Sequence, residues 1–148
     1  MMSALIISVD PGRRGALAIL DTEGHRVTCH DLPTTTAELH ELIAGLPLIR
    51  RAVVERPFYP SHVGTSNVAT MAFNYGVLLG AFAWRSIPVV EVAPAKWKAA
   101  LGLSSVKDAS RELASRLFPD DAHQWKLKTK DGRAEAALIA WWGANNVR

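Results

Sequence analysis

The sequence is poor in cysteine: Cys29 is the only one. A lone thiol excludes an intrachain disulfide and a cysteine-rich zinc site. Long apolar runs are missing too. The most apolar stretch, Val68 to Trp84, is shorter than the roughly 20 residues a bilayer span needs, and it carries Asn74 and two glycines. It reads as a buried helix. No basic segment followed by a long apolar core opens the chain, so no signal peptide is expected. Internal repeats and low-complexity linkers are absent as well. These absences point to a soluble, intracellular protein with no membrane partner.

What is present fits one globular domain, residues 1–148, with a sizeable core: 49% hydrophobic and 21% charged residues. The net charge of +3 is unevenly placed. Residues 1–74 hold six Lys/Arg and seven Asp/Glu; residues 75–148 hold eleven and seven. The basic second half favours a polyanionic partner, with a solvated basic face as the alternative.

Ala4–Asp10 reads as a first strand that ends at a carboxylate, because Pro11 and Gly12 forbid its continuation. Ala16–Leu20 and Arg26–His30 extend it into an antiparallel meander. Thr34, Thr35 or Thr36 can cap a helix with apolar positions Leu39, Leu42, Ile43 and Leu46, and Glu38 is a capping-box partner for Thr35. Ala52-Val53-Val54-Glu55 is a fourth strand, again ending in an acid and followed by the loop Arg56–His62. A long helix spans about residues 66–85, with Gly76 and Gly80 on one face that another element could approach closely. Residues 88–92 form a fifth strand. A short helix runs from Pro94 to Gly102, and Ser104 or Ser105 caps the next, with Val106, Ala109, Leu113 and Leu117 apolar. Asp120–Lys130 reads as a polar, basic loop, and Asp131–Asn145 as the last helix. Three strands, helix, strand, helix, strand and then helices fit an α/β fold: a mixed five-stranded sheet flanked by helices, the ribonuclease H-like arrangement. There the first and fourth strands are neighbours, so Asp10 and Glu55 face one crevice.

Singly, each acid has a plain structural explanation. Asp10 can be a turn residue, Glu55 can pair with Arg56, and Asp131 can be a helix N-cap. Glu135 lies four residues after Asp131 on the same helical face, with Cβ atoms roughly 5–6 Å apart, inside the apolar stretch Ala134 to Leu138. A free carboxylate there is costly unless paired or metal-bound. Together, Asp10, Glu55, Asp131 and Glu135 make an oxygen-rich cage suited to Mg²⁺, with Mn²⁺ also possible. Two ions roughly 3.5–4 Å apart in such a cage can activate a water and stabilise the leaving oxygen of a phosphodiester.

Val9-Asp10-Pro11-Gly12 with Gly15, Val54-Glu55-Arg56-Pro57, the Gly76/Gly80 helix, Val92-Ala93-Pro94 with Lys98, Ser105–Lys107 and Asp131–Ala136 follow one another in order over nearly the whole chain. Their combination resembles the RuvC family of Holliday-junction resolvases, its small phage-type branch above all. The resemblance implies a Mg²⁺-dependent, structure-selective endonuclease that resolves branched DNA as a homodimer. It implies Asp10, Glu55, Asp131 and Glu135 as ligands of two metal ions, although the family's bacterial members space the last two acids three apart rather than four. It places Lys107 by the scissile phosphate, where its charge can stabilise the developing negative charge. Lys98 becomes a phosphate contact. Phe58 or Tyr59 becomes the ring that wedges into the junction, and either can stack on an unpaired base. Lys126, Lys128, Lys130 and Arg133 suit phosphate contacts that position a duplex without reading sequence, with an exposed loop as the alternative. The tryptophans read as core, with Trp125 in the basic segment a possible exception; His62 and His123 read as surface residues.

Two other classes stay open: a non-catalytic binder of branched DNA, and a nuclease for flaps or RNA–DNA hybrids. The actin-like and sugar-kinase-like ATPases also begin with an Asp and glycines after a first strand. They need a second similar half, for which 148 residues leave no room, so no nucleotide cofactor is expected. The expected location is the cytoplasm of a bacterial cell or a phage-infected host.

Overall fold

The computed structural model describes residues 4–23, 25–106 and 108–148. Short aliphatic and β-branched runs bounded by turn residues form the strands. β1 (Leu5–Asp10), β2 (Ala16–Asp21) and β3 (Arg26–Asp31) are followed by α1 (Thr36–Ala44), β4 (Arg51–Glu55), α2 (Thr65–Trp84), β5 (Val89–Val92), α3 (Pro94–Ala100), α4 (Ala109–Leu117) and α5 (Asp131–Asn146). The sheet order is β3-β2-β1-β4-β5, antiparallel through the meander and parallel from β1 to β4 to β5. This is the mixed five-stranded sheet expected from the element order, with β1 at its centre. Thr35 caps α1: its hydroxyl accepts from the Glu38 N–H at 3.2 Å and donates to the Glu38 carboxylate at 2.9 Å.

Period-2 alternation sends the strand side chains to two cores. Ile7, Val9, Ala52 and Val54 pack with Ile43 of α1 and Leu78 and Phe82 of α2. Ile6 and Val53 pack on the other face with Ala137, Leu138 and Ile139 of α5. Ser8 and Asp10 therefore follow Ile6, and Glu55 follows Val53, onto the α5 face. The Ser8 hydroxyl donates to the Ala136 carbonyl at 2.5 Å, pinning α5 to the central strand. Glycines let α5 lie flat on the sheet. A Cβ on Gly143 would stand 2.5 Å from Val53 Cγ2, and one on Gly132 would overlap the Arg14 carbonyl oxygen.

Several expectations are corrected. The stretch Val68–Trp84 is not a buried helix throughout: the buried residues of α2 are Leu78, Ala81 and Phe82, all in its second half. Gly76 and Gly80 meet nothing within 4 Å, so the close approach expected there is not made within the described chain. α4 starts at Ala109, not at a serine cap, because Asp108 holds a left-handed conformation (φ 75°) that an aspartate tolerates and a helix does not. Ser104 instead accepts from the Val106 N–H in a turn of its own, and Val106 is exposed. Residues 119–125 and 128–130 are 3₁₀ turns rather than open loop. Asp121, 3% exposed, anchors the first of these by accepting from the Arg26 guanidinium and the Val27 N–H. Trp125 is buried there, its indole donating to Ser115, so it belongs to the core.

Candidate metal and nucleic-acid site

β1 and β4 run parallel with Val9 opposite Val54, which carries Asp10 and Glu55 to the same end of adjacent central strands. α5 crosses above them and brings Glu135 to the same place from its second turn. Asp10 is buried, 7% exposed, and its Oδ1 accepts from the Gly12 N–H at 3.0 Å. Burial pushes the Asp10 carboxyl up to about 8, and the charges of Glu55 and then Glu135 push the same way; its side chain lies within hydrogen-bonding reach of Glu135. Glu55 is also raised, first by burial and then by Glu135, against the opposing hydrogen bond from Trp97 and the charge of Lys98. Trp97 Nε1 donates to Glu55 Oε2 at 2.6 Å. Glu135 Oε1 accepts from the Ser110 hydroxyl at 3.3 Å and lies 3.4 Å from Lys98 Nζ.

Three carboxylates thus meet at one rim, and their mutual repulsion is only partly offset by one lysine. A hard divalent cation with oxygen ligands fits that donor set, since it neutralises several acids at once. Among the described residues no three His, Cys, Asp or Glu side chains stand close enough to chelate one ion as they are.

The remaining expected site residues are distributed as follows. Asp131 is the first residue of α5 rather than its N-cap. It is exposed, and its carboxylate accepts from the Gly132 N–H. The carboxylates acting on Asp10 are those of Glu55 and Glu135. Lys107 lies outside the described residues. Phe58 is 71% exposed and Tyr59 is also exposed, in the loop that leaves β4 directly after Glu55. Arg56 approaches Glu91 (4.0 Å) rather than its neighbour Glu55. Lys126 and Lys128 are exposed. Lys130 and Arg133 both bind Asp31 at the end of β3, Arg133 through Nε at 2.8 Å, so these two cations brace α5 against the meander. Lys98 is held by Glu135. His62 and His123 are exposed, as expected.

Sequence reasoning missed Trp97, Ser110 and Asp31. Trp97 read as core, which it is, but its position just before Lys98 and soon after a strand end was the available signal. Ser110 and Asp31 have no signal in the sequence: their partners lie 25 and 102 residues away.

No protein-family model matches the chain. A crossover junction endodeoxyribonuclease RuvC from Paenarthrobacter aurescens is 31% identical over 159 aligned residues, covering 95% of this chain and 82% of that protein. The chain belongs to the RuvC family. A chloroplastic Holliday junction resolvase from Chlamydomonas reinhardtii is 36% identical over 100 residues, which span 65% of this chain and only 11% of the much longer algal protein. Among solved structures, T. thermophilus RuvC in complex with a Holliday junction substrate superposes with a TM-score of 0.70, at 14% identity, over 96% of this chain and 95% of that one. A second T. thermophilus RuvC structure gives 0.64 at 15% identity, over 95% of each chain. The ribonuclease H-like fold expected from the strand and helix order is therefore the RuvC fold, and the three-acid rim lies at the end of its two central parallel strands.

Proposed function

We propose that this RuvC-family chain is a divalent-cation-dependent endonuclease that nicks four-way or other branched DNA. The observation that carries this reading is the convergence of Asp10, Glu55 and Glu135, with the Asp10 carboxyl pushed up to about 8 first by its burial and then by the charges of Glu55 and Glu135. Asp10, Glu55 and Glu135, with Asp131 as a fourth ligand, would hold two ions. When bound there, Mg²⁺ or Mn²⁺ supplies Lewis-acid activation of water and neutralises charge on the phosphate. Hydrolysis breaks the P–O3′ bond and leaves a 3′-hydroxyl and a 5′-phosphate.

The chain's other residues bind and orient. The exposed rings of Phe58 and Tyr59 stack on bases unpaired at the branch point. Lys126 and Lys128 contact backbone phosphates, and the family resemblance assigns Lys107 to the scissile one. Lys98, 3.4 Å from Glu135 Oε1, offsets part of the acids' charge and contacts a backbone phosphate. Resolving a junction takes two symmetry-related cuts, which a twofold homodimer supplies. The exposed first half of α2, with Met71 and Phe73 and the open Gly76/Gly80 face, supports placing the interface there. No helix of the described residues is long and apolar enough to cross a membrane. We place the protein in the cytoplasm of a bacterial cell or phage-infected host.

The test offers the purified protein a labelled four-way junction, a matched duplex, a flap and an RNA–DNA hybrid, with Mg²⁺ or with EDTA. Mg²⁺-dependent cutting of the junction in preference to the duplex is expected. No Mg²⁺-dependent cutting of any substrate overturns the nuclease reading, and preference for the flap or hybrid reassigns the substrate. A protein that is monomeric at micromolar concentration yet fully active on junctions removes the dimer.

A further inference from the structure

Glu55 accepts a hydrogen bond from a residue with no freedom to leave. Trp97 is 0% exposed and packed in the core beneath α5. Its indole N–H is a donor only, and a buried donor needs an acceptor. That acceptor is Glu55 Oε2, at 2.6 Å. α3, which presents the ring, begins at Pro94 directly after β5, and β5 is bonded to β4, the strand that ends in Glu55. Donor and acceptor are therefore fixed to the same sheet edge. The next residue on α3, Lys98, reaches Glu135 on the opposite wall of the crevice. One short helix thus touches two of the three converging acids.

We propose that Trp97 is a positioning residue of this site: its indole N–H fixes the plane and rotamer of the Glu55 carboxylate, leaving Oε1 and the second lone pair of Oε2 to a divalent cation. An unrestrained glutamate would have to order its side chain when the ion binds, whereas this one is ordered beforehand. The proposal rests on the metal reading above. It differs from a packing role because packing needs only the ring, and positioning needs the N–H.

The experiment separates these by keeping the ring and removing the donor. Trp97→Phe is one variant. The second carries β-(3-benzothienyl)alanine at position 97, in which sulfur replaces the N–H at nearly unchanged shape. Mn²⁺ is titrated calorimetrically into the full chain without DNA, and thermal unfolding in EDTA is followed in parallel. Removing an outer hydrogen bond to a metal ligand weakens metal affinity by about 10–100-fold, and that weakening is expected in both variants, with the benzothienyl chain melting like the parent. If Trp97→Phe fails to fold, the benzothienyl chain decides. A folded benzothienyl chain that binds Mn²⁺ within about threefold of the parent, far below that range, overturns the positioning role and leaves the metal reading standing. A parent chain that binds no Mn²⁺ overturns both.

Discussion

Replacing Asp10 with asparagine should stabilise the metal-free protein while abolishing cleavage. Burial and the charges of Glu55 and Glu135 raise the Asp10 carboxyl from 3.8 to about 8. Between those values the folded chain holds a proton that the unfolded chain has released. Stability is therefore fully present below pH 3.8 and is lost as pH rises toward 8. At 1.36 kcal/mol per unit, the gap corresponds to about 6 kcal/mol, an upper figure because Glu55 and Glu135 share the titration. Glu55 is raised too, so it adds a decline of the same sign. Asp31 and Asp121 are lowered and act in the opposite sense, so the parent's total slope is a mixture. The difference between parent and Asp10→Asn isolates the one group. Asparagine can still accept from the Gly12 N–H through its carbonyl oxygen and can donate to Glu135, without a charge.

The assay is urea unfolding in EDTA from pH 5 to pH 9. The stability advantage of Asp10→Asn should start small and grow to several kcal/mol by pH 8. Adding Mg²⁺ should restore the parent and not the variant, since a ligand that binds only the folded state stabilises it by mass action. If parent and variant show the same pH dependence in EDTA, Asp10 is not the crowded, protonated group described here, and the electrostatic case for a cation at this rim fails with it.

Gly132→Ala should cost more than about 2 kcal/mol, because the added methyl overlaps the Arg14 carbonyl and α5 must lift from the sheet; chemical denaturation measures it, and a neutral result refutes the tight approach. Phe58→Ala combined with Tyr59→Ala should leave Mn²⁺ binding intact but weaken junction binding by about 1–3 kcal/mol for each base that no longer stacks. An unchanged affinity in gel-shift titration would exclude both rings as wedges. Lys126→Ala with Lys128→Ala should flatten the dependence of duplex affinity on salt, by about one in slope for each phosphate that is no longer neutralised. An unchanged slope assigns those lysines to solvent.

How far the sequence could be read differs from element to element. The strands were legible because each is a short aliphatic run stopped by turn residues. The order of elements allowed few topologies, and the sheet followed. Asp10 and Glu55 stood out because each ends such a run, and parity along a strand then decides which face they enter. Glu135 was visible as an acid inside an alanine-rich helical stretch. α4 was misplaced because a left-handed aspartate leaves no pattern in composition. The 119–130 segment was misread because Asp121 and Trp125 are buried by distant partners, among them Val27 on β3 and Ser115 on α4.

The sequence by itself therefore determined the strands, their succession and the acids that end β1 and β4, which follow from local periodicity and from where the chain must turn; the pairing of β1 with β4 was expected from the ribonuclease H-like arrangement that this succession fits. Only the tertiary structure decided the charge relations of the site: that Lys130 and Arg133 are held by Asp31, that Lys98 is paired with Glu135, and that Trp97 donates to Glu55. Each of these joins residues tens of positions apart. The partner of a charged or polar group is set by which surfaces the packed core brings together, and no local pattern records it.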